Sequence, residues 1–62
     1  MEMSMTKLIY TQDYKGTKVV TSAMLTMDEL KQIYNKDELN TLRRGLQIVR
    51  EYPHMTFTVQ RG

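Results

Sequence analysis

The order of apolar and polar residues predicts a β-hairpin in the first half of the chain. Residues Thr6–Tyr14 and Thr17–Leu25 each mix β-branched or aromatic side chains with alternating polar ones, and Gly16 lies between the two runs. Glycine readily adopts the positive φ that a tight hairpin turn needs. Two β-prone runs joined by such a turn are typical of an antiparallel hairpin.

Two start signals for helices follow the hairpin. Thr26 precedes Glu29 by three residues, and Asn35 precedes Glu38 by the same spacing. In this arrangement, a capping box, the first residue caps free amides of the first helical turn and the glutamate reaches back to it. We expect a break at Asn35, because asparagine is a good N-cap and also tolerates left-handed backbone.

An apolar stripe at helical spacing follows Asn35. Its members are Leu39, Leu42, Leu46 and Val49. A straight helix would place Leu30 and Tyr34 about a third of a turn away from this stripe. We therefore predict a short helix near residues 27–34 and a longer helix near residues 36–51, with one bent helix as the alternative.

The end of the chain predicts one more strand. Pro53 cannot continue a helix, and residues 55–60 alternate strictly, with Met55, Phe57 and Val59 inward. The element order is then β-β-α-β, an α+β fold. We expect a three-stranded antiparallel sheet in the order 2-1-3, with the kinked or broken helical segment packed on one face. Residues 6–62 form a single domain after a frayed N-terminus at residues 1–5.

One helical layer covers only one face of such a sheet. If the covered set is Leu8, Tyr10, Val19, Thr21 and Ala23, the opposite face carries the apolar residues Ile9, Val20 and Met24. Which face packs on the helix is left open by the pattern. A sheet with apolar residues on both faces needs a second cover. Ile9, Val20 and Met24 are therefore candidates for self-association or partner contact.

The predicted second helix carries a further, weaker stripe. Gly45, Ile48 and Tyr52 follow one another at helical spacing, on a different side from the leucines. Glycine inside a helix costs about 1 kcal/mol relative to alanine, so it usually has a packing reason. We interpret this stripe as a second candidate surface for self-association or a partner. Packing of the helix on its own sheet is the alternative.

Composition limits the chemistry that the chain can perform. The 62 residues include no cysteine and one histidine, His54, and the three glycines are isolated from one another. Disulfides are excluded, and neither a zinc ligand set, a nucleophile beside a base, nor a phosphate-binding loop is evident. We therefore expect no enzyme activity, no cofactor and no metal. The alternative of an enzyme would depend on His54 as the catalytic residue.

Hydropathy and charge narrow the choice of partners. No run is long and apolar enough to span a membrane, and the first residues lack the basic and apolar regions of a signal peptide. We expect a cytoplasmic protein without a membrane partner. The formal net charge of +2 permits contact with nucleic acid without arguing for it.

Basic and amide side chains cluster on one side of the predicted second helix. The members of this cluster are Lys36, Arg43, Gln47 and Arg50. Two further basic residues, Lys15 and Lys18, lie at the tip of the hairpin. Such side chains suit phosphates and base edges. A solvated helix face is the favoured interpretation, and a small nucleic-acid-binding module is the alternative function.

A short chain without cysteine, built from one hairpin, a capped helical segment and a strand, resembles in style the small proteins of bacteria and their phages. The resemblance rests on no specific motif and implies no residue roles. A domain of this length buries only roughly 60% of its unfolded surface, so a partner would stabilise it. The sequence therefore favours a small non-enzymatic interaction protein that forms homo-oligomers and binds and modulates another protein.

Overall fold

The computed structural model describes residues 4–62, and within them it contains four β-strands and two α-helices. In chain order these are β1 (Met5–Tyr14), β2 (Thr17–Thr26), α1 (Met27–Ile33), α2 (Lys36–Arg43), β3 (Ile48–Tyr52) and β4 (Met55–Arg61). The strands form one antiparallel sheet in the order β2-β1-β4-β3. Of the predicted frayed N-terminus, residues 1–3 lie outside the described residues, and Met5 begins β1.

The α+β class agrees with the sequence, but the predicted three-stranded sheet in the order 2-1-3 is wrong. The last strand does pair antiparallel with β1, and Tyr10 lies opposite Val59. A further strand, β3, occupies the other side of β4, where Ile48 also lies opposite Val59. This additional strand comes from the segment predicted as the helix over residues 36–51.

Helix α2 ends at Arg43 because the chain turns left-handed at Gly45, whose φ is +77°. The Gly45 amide donates to the carbonyl of Leu42 at 3.0 Å, and the Leu46 amide donates to the carbonyl of Thr41 at 3.1 Å. These two bonds form a Schellman motif, which satisfies carbonyl groups that a helix end leaves free. The glycine interpreted as a helix-packing position is therefore the residue that terminates the helix.

The break between the helices lies at Asn35, and both predicted capping boxes are confirmed. The Thr26 hydroxyl accepts from the Glu29 amide at 3.3 Å, and the Glu29 carboxylate accepts from the Thr26 amide at 2.9 Å. Asn35 and Glu38 exchange the equivalent bonds at 2.8 and 3.0 Å. The alternative of one bent helix is therefore wrong.

The predicted first hairpin is also confirmed. Lys15 and Gly16 form its two-residue loop with φ values of +53° and +100°, which is the left-handed geometry that suits the twist of paired strands. The Asp13 carboxylate accepts from the Gly16 amide at 2.8 Å and supports the turn. A second tight turn, at Pro53-His54, joins β3 to β4.

The hydrophobic core lies at one end of the sheet. Its buried members are Leu8, Leu30, Tyr34, Leu42, Ile48 and Val59. Helices of seven and eight residues span only about 12 Å, whereas strands of ten residues span about 33 Å. The helices therefore leave the far half of the first hairpin uncovered, and the molecule measures 44 × 21 × 19 Å. Of the predicted leucine stripe, Leu46 and Val49 are more than half exposed.

Strand register assigns two faces to the sheet. The inner face, on the side of the helices, carries Leu8 opposite Ala23 and Tyr10 opposite Thr21, which decides between the two faces that the sequence left open. The outer face, on the opposite side, carries Lys7, Ile9 and Thr11 of β1 and their partners on β2. Strand position alone divided the residues of the hairpin between two faces, because side chains alternate strictly along a strand, but the structure decided which face packs on the helices.

Candidate interaction surfaces

The outer face has no covering element within residues 4–62, and it brings together Ile9, Val20 and Met24 on β1 and β2. Val20 is 63% exposed and Met24 is 52% exposed, whereas Ile9 is partly covered by Gly62. The first hairpin therefore presents apolar side chains to solvent on the face that the helices do not protect. Val20 and Met24 are therefore the residues of this face that are most available for contact with a partner.

Threonines occupy the middle of the outer face. Thr11 of β1 lies opposite Thr58 of β4, and Asp13 lies opposite Thr56. On β3, beyond these residues, the apolar Val49 is followed by the charged Glu51. The apolar part of the outer face is therefore concentrated on β2 and the adjoining part of β1.

The residues of the predicted helical stripe do not share one surface. Gly45 terminates α2, and Ile48 is buried in the core opposite Val59. Tyr52 lies at the end of β3 on the inner face and is 51% exposed. Their helical spacing does not place them on one face, because α2 ends before Gly45 and Ile48 and Tyr52 lie in β3.

The predicted basic helix face is likewise divided among several elements. Only Lys36 and Arg43 belong to α2, where they are its first and last residues. Gln47 precedes β3, beside the polar middle of the outer face, and Arg50 lies within β3. Lys15 and Lys18 remain close together at the tip of the first hairpin. No continuous basic stripe is formed within the described part of the chain.

Arg50 connects β3 to the start of α2. Its Nη2 atom donates to Oε2 of Glu38 at 2.7 Å, across twelve residues of sequence. This hydrogen bond from Arg50, together with the bond from the Asn35 amide, holds the pKa of Glu38 below its ordinary value. The guanidinium is therefore engaged in a structural ion pair, which reduces its capacity to bind a phosphate.

Aromatic side chains form a surface on the inner face that the sequence analysis did not identify. Tyr10 and Phe57 stack with their ring centroids 5.8 Å apart. Farther from the helices, Tyr14 and Tyr52 are 45% and 51% exposed. The alternation of Tyr10 and Tyr14 in β1 was an available signal, but Tyr52 joins them only because residues 48–52 form a strand.

Tyr34 marks the boundary between the aromatic surface and the core. It caps the end of α1 and is buried. Burial, with a smaller contribution from the adjacent Tyr10, raises the pKa of the Tyr34 phenol to about 12. The folded state therefore favours the neutral phenol.

His54 lies in the exposed turn between β3 and β4, next to the tip of the first hairpin. Within residues 4–62, no three carboxylate or imidazole side chains come together as a metal ion would require.

Neither helix of the described chain has the length and apolar content needed to cross a membrane. Comparisons with protein-family models, curated proteins and solved structures find no match to this chain.

Proposed function

We propose that this chain is a small non-enzymatic interaction protein of the cytoplasm that forms homo-oligomers and binds and modulates another protein. The observation that carries the proposal is the uncovered outer face with its apolar residues Ile9, Val20 and Met24. An antiparallel sheet with one solvated face normally carries polar residues there. Burial of apolar side chains contributes about 25 cal/mol per Å², so covering this face would stabilise the protein.

The total surface supports the same proposal. The chain exposes 4949 Å², whereas a compact monomer of its mass is expected to expose about 4,200 Å². Its radius of gyration is 12.5 Å, against about 10.6 Å for a compact domain of this length. The excess area is similar to the roughly 800 Å² that each partner buries in a standard protein interface.

Sedimentation equilibrium at micromolar concentration tests self-association. The wild type should exceed the monomer mass, and the double variant Val20→Glu/Met24→Glu should shift towards monomer because it places carboxylates on the apolar part of the outer face. Leu46→Glu is the matched control, since Leu46 is 53% exposed and lies outside the sheet. A monomeric wild type contradicts the homo-oligomeric part of the proposal.

Binding to another protein is tested separately with the same three proteins immobilised. A specific partner from the native cytosol should be retained by the wild type and by Leu46→Glu but lost from the outer-face variant. Once purified, that partner should change its activity when the wild type is added. Equal retention by all three proteins would show that the outer face does not bind it.

A nucleic-acid-binding module is the second candidate, and the aromatic surface of Tyr10, Phe57, Tyr14 and Tyr52 favours it. Aromatic side chains on a sheet can stack with the bases of single strands. Both strand carboxylates, Asp13 and Glu51, face away from it.

Fluorescence anisotropy with labelled single-stranded DNA and RNA tests this candidate. Affinity should fall steeply with salt, and Tyr14→Ala/Tyr52→Ala should weaken binding. A second variant, Lys15→Ala, should reduce the salt dependence, because Lys15 at the hairpin tip would neutralise a phosphate, whereas Lys18 lies opposite Asp13 on the outer face. Absence of binding at low salt removes this candidate.

A further inference from the structure

We propose that two copies of the chain pair through their β2 strands, antiparallel about a two-fold axis at Ser22, and so form a continuous eight-stranded sheet. The inference rests on the homo-oligomeric part of the proposed function and names the surface and the register. In this dimer, the free edge of β2 provides the backbone pairing, and the outer face provides apolar contacts between the two copies.

The two edges of the sheet differ in how well they are protected. Edge strand β3 has only five residues, includes the charged pair Arg50-Glu51 and is followed by Pro53. Edge strand β2 has ten residues, and Lys18 is its only charged one. It contains no proline or glycine, and residues 17–22 are exposed. Because an unprotected edge strand readily pairs with another chain, β2 is the edge suited to a partner.

The first hairpin determines which backbone groups of β2 are free. Its two-residue loop makes Tyr14 and Thr17 a hydrogen-bonded pair, and such pairs recur at every second residue along the ladder. Odd-numbered residues of β2 therefore bond to β1, and the amides and carbonyls of even-numbered residues point to the free edge. The latter are Lys18, Val20, Ser22 and Met24, since the amide of Thr26 already donates to the Glu29 carboxylate at the start of α1.

The hydrophobic pattern selects the register. With the axis at Ser22, Val20 lies opposite Met24 of the second copy on the outer face, and Val19 lies opposite Leu25 on the inner face. A shift of two residues pairs Val20 with Ser22 or with Thr26 instead. Odd shifts bring together residues that point to opposite faces. Among the registers that keep most of β2 paired, the axis at Ser22 is therefore the one that pairs apolar residues on both faces of the sheet.

Backbone bonding and charge are compatible with this arrangement. Three residue pairs with free backbone groups face each other across the axis, namely Val20 with Met24, Ser22 with Ser22 and Met24 with Val20, and they can form about six backbone hydrogen bonds. Lys18 lies opposite Thr26 of the second copy, so no like charges meet in the new ladder. The pairing also joins Val20 and Met24 of both copies into one apolar strip on the outer face.

Charge substitutions at the axis test the proposal, because Ser22 would face its own counterpart. Ser22→Lys and Ser22→Glu should each weaken dimerisation by up to about fivefold, since each places two like charges directly opposite one another. An equimolar mixture should restore dimers, as lysine then faces glutamate. Val49→Lys is the matched control, because Val49 is an exposed outer-face residue on the other edge strand.

Sedimentation velocity measures the four proteins and the mixture, and far-UV circular dichroism checks that each is folded. Weakening by both Ser22 variants with recovery in the mixture supports the pairing. If both variants dimerise more weakly but their mixture does not recover, Ser22 does not face its own counterpart, and the proposed register is wrong. If both Ser22 variants dimerise as strongly as the wild type, the interface does not lie at β2, although the protein does self-associate. A monomeric wild type overturns this inference together with the homo-oligomeric part of the proposed function.

Discussion

Replacement of Gly45 by alanine should lower the free energy of unfolding by about 1 kcal/mol. Gly45 has a φ of +77°, and left-handed backbone costs an L-residue roughly 1–2 kcal/mol. A Cβ atom at this position would meet no other atom within 4 Å. The loss of stability should therefore come from backbone conformation alone, without a steric clash.

The sign of this change distinguishes the structure from the helix over residues 36–51 that the sequence pattern suggests. Inside a helix, replacement of glycine by alanine would raise stability by about 1 kcal/mol. The two arrangements therefore differ by about 2 kcal/mol, with opposite signs. D-alanine, which a synthetic chain of this length can carry, prefers positive φ and should raise stability by restricting the unfolded chain.

Urea unfolding followed by circular dichroism, at one fixed protein concentration, measures all three proteins. The L-alanine variant should also melt about 4–8 °C below the wild type. A fixed concentration is needed because assembly would add to the apparent stability. An L-alanine variant as stable as the wild type, or more stable, would refute the left-handed helix end at Gly45.

Three further predictions concern the core and two titrating groups. Leu8→Ala should cost about 2–5 kcal/mol in urea unfolding because Leu8 is fully buried, whereas Leu46→Ala should change stability by less than about 0.5 kcal/mol; equal effects would contradict the assigned core. The lowered pKa of Glu38 means that its contribution to stability is present above pH 4.5 and lost as pH falls through the folded-state pKa, so Glu38→Gln should flatten the acid side of the stability curve. If Glu38→Gln and the wild type lose stability equally as pH falls, the ion pair does not have this role. The raised pKa of Tyr34 means that its contribution is present below pH 10.0 and lost as pH rises towards 12; ultraviolet titration should show a phenol ionising near pH 12 that Tyr34→Phe removes.

The elements that were predictable from sequence depend on residues close together in the chain. The turn at Gly16 joins neighbouring strands, and the capping boxes at Thr26 and Asn35 each act over three residues. Such interactions are encoded locally, so spacing and residue type were sufficient to identify them. Strand alternation likewise placed Ile9 and Val20 on the same face of the hairpin.

Strand β3 was missed because its residues fit two periodicities. Ile48 and Tyr52 continue the helical spacing of Gly45, and a run this short cannot be assigned by periodicity alone. Gly45 was the available signal for a helix end, since glycine is enriched just after helices. Because residues 44–51 are not helical, neither the predicted apolar stripe nor the predicted basic face forms a single surface.

By itself, the sequence determined the hairpin, the two helix starts, the break at Asn35 and the division of β1 and β2 into two faces. Only the tertiary structure decided that residues 48–52 form a strand, because their spacing fits a helix as well as a strand and the choice depends on the ladder with β4 and the burial of Ile48 opposite Val59. The same pairing aligned Arg50 with Glu38 and placed Tyr52 on the aromatic face. Local patterns specify which backbone states are accessible, whereas burial against distant residues selects among them.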